Sequence, residues 1–168
     1  MTIVSLCAGD GRDLLPVLAE VRQGTASVIL VEQDATLVQH ARTAALTLGL
    51  DQVTVLARDA GETDHFAFAL PVDLLLLCGI FGNISEQDIA LTVAASPAML
   101  RPGGTVIWTR GSTEPDLRPT IRRWIATAGL RETIFDSEPE GFGVGMATKQ
   151  PHPSTDPPLP PRLFSFLR

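Results

Sequence analysis

Unbroken apolar runs alternate along this chain with stretches whose apolar residues recur at every third or fourth position. The first pattern suits strands of a parallel sheet covered on both faces, and the second suits the buried face of a helix. Thr2 to Leu6, Val28 to Glu32, Val53 to Leu56 and Val72 to Leu77 are the first four predicted strands. Thr105 to Thr109 and Arg131 to Phe135 follow as the fifth and sixth. Between the first two, Leu14, Leu15, Leu18 and Val21 mark a helix that tolerates Pro16 in its first turn. Asp34 is placed to cap a second helix that buries Leu37, Ala41, Ala45 and Leu48 and stops at Gly49. Ser85-Glu86-Gln87-Asp88 reads as a capping box opening another, in which Ser96-Pro97 predicts a break and restart. Arg101-Pro102-Gly103-Gly104 ends that element. Asp116 to Ala128 is amphipathic through Leu117, Ile121, Trp124 and Ile125, with Gly129 as its stop.

The C-terminal part is less regular. Gly141 to Ala147 is glycine-rich and reads as either a strand or a loop. The prolines at 151, 153, 157, 158, 160 and 161 predict a stiff, extended connector over 150–162. Leu163-Phe164-Ser165-Phe166-Leu167 then reads as a last, antiparallel strand docking in the sheet. Alternation of strand and helix predicts an α/β fold, a doubly wound, Rossmann-like sandwich. Its sheet is expected to hold about seven strands, mostly parallel, with an antiparallel C-terminal strand. One domain is expected to span 1–168.

Composition narrows the partners. A chain of 168 residues, 45% apolar and 19% charged, has enough material for one sizeable core. Its 13 basic and 19 acidic residues leave a net charge of -6, which argues against nucleic acid and anionic membrane as partners. Cys7 and Cys78 end apolar strands without metal-ligand spacing and read as reduced thiols; no metal site is expected. No apolar stretch approaches the roughly 20 residues of a membrane span. A cytoplasmic location is the expectation.

The chemistry concentrates in two places. Cys7-Ala8-Gly9-Asp10-Gly11 forms a tight turn after the first strand, and Glu32, with Gln33 beside it, ends the second about twenty residues on. A glycine turn lets backbone N–H groups approach a ligand, and a carboxylate at the neighbouring strand tip can accept both hydroxyls of a ribose. The pair implies a nucleoside-containing cofactor lying across the carboxyl ends of a parallel sheet. A nicotinamide site would want a third glycine, but Leu14 follows here. Asp10 would also confront a pyrophosphate with negative charge. S-adenosylmethionine has no phosphate and carries a sulfonium and an ammonium, so a carboxylate beside the turn favours it.

On these residues the chain resembles the class I S-adenosylmethionine-dependent methyltransferases, from Thr2 to about Phe135. Val4-Ser5-Leu6-Cys7-Ala8-Gly9-Asp10-Gly11 is similar to the family's first motif. Glu32 matches its ribose ligand, and Arg58-Asp59-Ala60 its adenine-contacting acidic turn. Arg101 to Gly104 resembles the loop before the family's fifth strand. The resemblance implies donor contacts at Cys7, Ala8, Gly9, Asp10, Gly11, Glu32, Gln33, Asp59, Ala60, Cys78 and Gly79. Two positions depart from the pattern: Ser5 stands where an acidic residue is usual, and Cys7 where the first glycine is usual. Leu77-Cys78-Gly79-Ile80-Phe81 also lacks the Asn/Asp-Pro-Pro-aromatic signature of enzymes that methylate exocyclic or amide nitrogens.

A small-molecule methyltransferase is therefore the expected function. The alternatives are a donor-binding protein without turnover and, ranked below it, a nicotinamide-dependent oxidoreductase. No catalytic residue is assigned, because displacement at an activated sulfonium mainly requires placement and exclusion of water. Cys78 suits a small core residue as well as a pocket wall, and Asn83 a turn cap as well as a ligand contact. His40, His65 and His152 are not expected to act chemically. Arg118, Arg122 and Arg123 read as a solvated helix face, and Trp108 and Trp124 as core. With Met1 falling at the first strand, the acceptor side is expected to be open, shaped by 79–84 and 110–116. A lid from a homo-oligomer or another partner chain is left open.

Overall fold

The computed structural model describes residues 1–21, 26–151 and 156–167; His152 and Pro153 lie outside them. Seven strands form one sheet: β1 (Thr2–Leu6), β2 (Ser27–Glu32), β3 (Val53–Ala57), β4 (Val72–Leu77), β5 (Leu100–Gly111), β6 (Leu130–Ser137) and β7 (Phe142–Lys149). The helices are α1 (Leu15–Val21), α2 (Ala35–Thr47), α3 (Glu86–Met99) and α4 (Arg118–Thr127). Asp34 caps α2 by accepting from the amides of Thr36 and Leu37, and Ser85 caps α3 by accepting from Asp88.

The strand order is β3-β2-β1-β4-β5-β7-β6. The first five run parallel, while β7 is antiparallel to both β5 and β6. From β1 the chain winds outward to β3, then returns to lay β4 against the other side of β1. That reversal opens a crevice at the carboxyl ends of β1 and β4, where ligands of open α/β sheets bind.

Strand alternation divides the core in two. Ile3, Val28 and Leu30 face α1 and α2, packing with Leu15, Val38 and Ala41. Val4, Leu6, Ile29, Val31, Leu75 and Trp108 face the opposite way, toward α3, α4 and the C-terminal segment.

Five sequence expectations need correction. Leu48, expected on the buried face of α2, is its C-cap and is exposed. The last strand is not Leu163 to Leu167 but Phe142–Lys149, the glycine-rich segment. Its glycines admit large neighbours: a Cβ at Gly143 would stand 3.0 Å from Arg118 Cδ, and one at Gly145 would collide with the Trp108 indole. The helix over Ser96-Pro97 does not break, because Pro97 falls in the last turn of α3 and forfeits only one interior hydrogen bond. The Lys149 ammonium, buried, donates to the carbonyls of Pro97 (2.8 Å) and Leu100 (3.1 Å) where that helix ends. Arg101 to Gly104 belongs to β5, with a register shift against β4 between Val72 and Leu74. Arg118, expected on a solvated face, is buried; it pairs with Asp116 and donates to the carbonyls of Glu138 and Pro139.

The C-terminal segment is instead a strap. Leu163 and Phe164 are both buried, at 0% and 1% exposure, yet the segment joins no ladder of the seven-stranded sheet. Leu163 N donates to Gly61 O (2.8 Å), and Leu167 N to Asn83 O (2.8 Å). Two isolated antiparallel bridges, Glu62 with Arg162 and Ile84 with Phe166, are its only strand-like pairings among the described residues. The strap thus runs from the loop after β3 to the loop after β4.

Candidate functional site

Glu32 is the last residue of β2, and its side chain is 8% exposed. A buried carboxylate requires hydrogen-bond donors. Gly9 N donates to Oε2 at 2.9 Å, and Asp34 N to Oε1 at 2.8 Å. Each oxygen receives one backbone donor here and keeps a lone pair for another. The turn after β1 is further tied to β2 by Ala8 N donating to Val31 O at 3.0 Å.

The turn itself is built from unusual backbone. Cys7, Gly9 and Gly11 all have positive φ, at 53°, 58° and 78°. For Cys7 this is a strained conformation, of the kind held in place by surrounding structure at ligand sites. A Cβ at Gly11 would lie 2.6 Å from Leu15 Cδ1, so this glycine permits close packing of α1. A Cβ at Gly9 or Gly79 would meet nothing within 4 Å; both backbones border open space.

The loop after β3 joins the site beside Glu32, because Arg58 N donates to Glu32 O at 3.0 Å. Asp59 accepts from Gly61 N at 2.8 Å and pairs with Arg162 of the strap. Ala60 is buried, packed into the core at this turn. His65 Nδ1 lies 2.9 Å from Asp59 O and supports this turn, which gives the imidazole a structural role. Gln33 is exposed next to Glu32, and His40 is exposed on α2. After β4, Cys78 is half-buried, Gly79 has a φ of 72°, and Asn83 Nδ2 closes the loop onto Gly79 O at 2.8 Å. Thr109 Oγ1 accepts from Gly79 N at 2.9 Å.

The electrostatics suit a cation and a neutral thiol. Burial pushes the Cys7 thiol up to about 12, with the charges of Glu32 and Asp59 adding to it. Burial likewise raises Cys78 to about 11, helped by Asp13. Neither is a thiolate near neutral pH, so neither is a nucleophile. Asp10 lies at about 2, chiefly because the Arg12 side chain hydrogen-bonds it in a forked pair with contacts of 2.9 and 2.6 Å. Among the described residues, no group of three or more His, Cys, Asp or Glu could hold a metal ion. No described helix is long and apolar enough to cross a membrane.

The structure thus gathers the expected residues from the turn after β1, the tip of β2 and the loops after β3 and β4 along one edge. Two residues that matter here were not singled out in the sequence. Arg162 reaches the site from more than a hundred residues away, and Arg110, at the end of β5, carries a buried Nε with no hydrogen-bond partner among the described residues. Neither has a local signal, since one pairing is long-range and the other is defined by what is missing around it.

Comparison with known proteins agrees with this geometry. Residues 3–104 match the model of a family described as a methyltransferase domain. No curated protein matches the chain. Among solved structures, an O-methyltransferase family protein from Burkholderia thailandensis superposes with a TM-score of 0.73 at 16% identity, covering 89% of this chain and 51% of that one. The chain therefore spans about half the length of that protein. A SAM-dependent methyltransferase from Aquifex aeolicus gives a TM-score of 0.64 at 18% identity, covering 88% and 81%. The 1,6-didemethyltoxoflavin-N1-methyltransferase of Burkholderia thailandensis, solved with that compound and S-adenosylhomocysteine, gives 0.65 at 17%, covering 89% and 71%. At such identities these likenesses speak for the fold, while the family match over more than half the sequence speaks for descent. The chain belongs to the class I S-adenosylmethionine-dependent methyltransferase family, whose expected cofactor is S-adenosylmethionine.

Proposed function

We propose that this protein binds S-adenosylmethionine along the edge described and transfers its methyl group to a small-molecule acceptor. The observation that carries the reading is the Glu32 carboxylate, buried at the strand tip and held by Gly9 N and Asp34 N with acceptor capacity left over. That spare capacity suits the two ribose hydroxyls. Asp59 is assigned to the adenine end, with Gln33 and Ala60 flanking it. Cys7 to Gly11 and Cys78-Gly79 are assigned to the amino-acid end, where the open backbone at Gly9 and Gly79 gives room for close approach. Asp10 arrives already paired with Arg12, so an ammonium would share that carboxylate rather than find it free.

The bound donor supplies a methyl group activated by its sulfonium. This chain contributes placement, and the Glu32 carboxylate, which has no arginine partner among the described residues, favours a ligand that donates hydrogen bonds, while Asp59 and Asp10 already pair with Arg162 and Arg12. Transfer requires a nucleophile held about 3–3.5 Å from the methyl carbon, in line with the departing sulfur. The loops 79–84 and 110–116 are assigned to the acceptor.

Calorimetric titration with S-adenosylhomocysteine and with NAD tests the reading. Binding of the first at micromolar concentration, with none of the second, is expected. No heat with S-adenosylhomocysteine, or a preference for NAD, overturns it. Transfer of labelled methyl to components of a metabolite extract then separates an enzyme from a donor-binding protein without turnover.

A further inference from the structure

We infer that the outward face of β5, β7 and β6 is the interface of a two-fold homodimer, in which a second copy of this chain lays the same three strands against it. The inference is independent of the methyl-transfer reading. Strand alternation puts Ile107, Phe142, Val144 and Met146 on one face of β5 and β7, opposite Val106, Trp108 and Ala147, which belong to the core with α3 and α4. The ladder between β6 and β7 sets Ile134 beside Met146 on that outward face. Helices α1 and α2 close over the other strands on this side. The core they form takes in Leu76 of β4 and, at its margin, Leu74, but no residue of β5, β6 or β7. Phe142, Ile134 and Val144 are accordingly 69%, 53% and 43% exposed.

An antiparallel sheet with one wet face carries polar side chains there. Here the row across the three strands reads Ile107, Met146, Ile134, and Val144 and then Phe142 follow along β7. Strands about 4.8 Å apart and four rows about 6.8 Å apart make a face of roughly 400 Å² in projection. Side chains corrugate it, so two copies packed face to face bury on the order of 1,200 Å² in all, the lower end of specific interfaces.

Charge identifies the occupant. On β6, Arg131 stands beside Thr148 of β7 and Asp136 beside Val144, one row to either side of Met146. A bulge between Glu132 and Ile134 keeps both on the outward face. Both are exposed and neither forms an ion pair among the described residues, whereas Glu132, on the opposite face, pairs with Arg122. A two-fold axis lying across the strands at Ile134 reverses the order of the rows. Arg131 of one copy then meets the partner's Asp136, Asp136 meets the partner's Arg131, and Ile134 packs on its own counterpart between them. Face-to-face sheets align to within about 30°, which keeps these rows in reach of one another. A partner of unrelated sequence would need both charges at the right spacing, while a second copy brings them by symmetry. The same axis sends the two donor crevices to opposite ends of the dimer and covers neither.

Sedimentation of the full chain from about 1 to 200 μM should show a monomer–dimer equilibrium with a micromolar Kd. Ile134→Glu should weaken it at least tenfold. So should Arg131→Asp and Asp136→Arg, each of which sets like charges opposite one another twice per dimer. The double variant Arg131→Asp/Asp136→Arg restores opposite signs and should return to within about threefold of the parent. Mixed in equal amounts, the two single variants present opposite charges throughout and should pair with each other near the parent's affinity. Far-UV circular dichroism matching the parent's shows that each variant folds. A parent that stays monomeric throughout, a dimer indifferent to Ile134→Glu, or a double variant as weak as the single ones overturns the inference. The first of these results would leave the face to a partner of another sequence.

Discussion

Arg162 Nη1 donates to Asp59 Oδ2 at 3.2 Å, which ties the C-terminal strap to the turn assigned to adenine. The same guanidinium pairs with Glu62 and donates to Phe164 O at 3.1 Å, so one side chain fixes both the strap and the loop after β3. The guanidinium is solvated, and water screens ion pairs at a wet surface so that they contribute little. Arg162→Ala should therefore weaken S-adenosylhomocysteine binding by at most about fivefold and lower the melting temperature by no more than about 4 °C. Calorimetry and a melting curve check this. A hundredfold loss would mean that Arg162 touches the ligand itself.

The strap's hold on the fold comes from burial. Phe164 is 1% exposed and Phe166 is 38% exposed, with ring centroids 5.8 Å apart. Removing a fully buried phenyl ring costs about 3–5 kcal/mol. Phe164→Ala should lower the melting temperature by roughly ten degrees or more, at about 2–4 °C per kcal/mol for a chain of this size. Phe166→Ala should shift it by only a few degrees. Equal effects at the two positions would show that the strap docks in some other register.

Much of this was legible from the sequence, for reasons that differ along the chain. Val72 to Leu77 reads as a central strand because coverage on both faces demands continuous apolar residues. Glu32 stands out because a carboxylate closing such a strand, beside a glycine turn, serves little purpose in a core. β7 was obscured because Gly143 and Gly145 lower strand propensity, and only the bulk of Trp108, Phe135 and Arg118 above them explains their presence. The strap misled in the opposite sense. Its alternating Leu-Phe-Ser-Phe-Leu pattern imitates a strand, but β7 already fills the place between β5 and β6. Leu163 and Phe164 instead bury side by side over the loops of the site. Pairings such as Arg162 with Asp59 depend on a chain path that no local pattern encodes.

The two thiols give a prediction about pH. Cys7 at about 12 and Cys78 at about 11 both lie above the ordinary 9.0. Below pH 9 the folded and unfolded chains both hold these protons, and the contribution to stability is fully present. Between pH 9 and 12 the unfolded chain loses them first, so stability falls as pH rises. At pH 8, iodoacetamide should alkylate both cysteines far more slowly in the folded protein than in urea, as mass spectrometry can follow. Folded and unfolded rates that match at either position would mean that its thiol is neither buried nor held neutral.

Asp10 behaves in the opposite way. Its carboxyl sits at about 2 against an ordinary 3.8, held there first by the hydrogen bond from Arg12. A lowered carboxylate stabilises above pH 4 and loses that contribution as pH falls through 2. Because Arg12 is 79% exposed, the effect on stability should be small. Arg12→Ala should return the Asp10 titration toward 3.8, read by NMR at its carboxyl carbon, while barely moving the melting temperature. An unmoved titration would assign the shift to the turn's backbone rather than to Arg12.

Glu32 separates stability from binding most sharply. Its two oxygens accept from Gly9 N and Asp34 N, and a carboxylate can satisfy both while a carboxamide cannot. Glu32→Gln turns one acceptor into an NH2 that faces a backbone N–H, leaving a buried donor unpaired at about 1–3 kcal/mol. The same change removes the charge that strengthens each ribose hydrogen bond, worth roughly 1.5–3 kcal/mol for a charged partner. S-adenosylhomocysteine affinity should fall about ten- to hundredfold. Asp34→Ala is the control. It removes the cap that holds Thr36 N and Leu37 N, costing about 1 kcal/mol of stability, yet keeps the Asp34 amide that Glu32 accepts. It should therefore melt earlier and bind normally. If Glu32→Gln also binds normally, the carboxylate serves only to brace the turn after β1, and the donor must rest its ribose elsewhere.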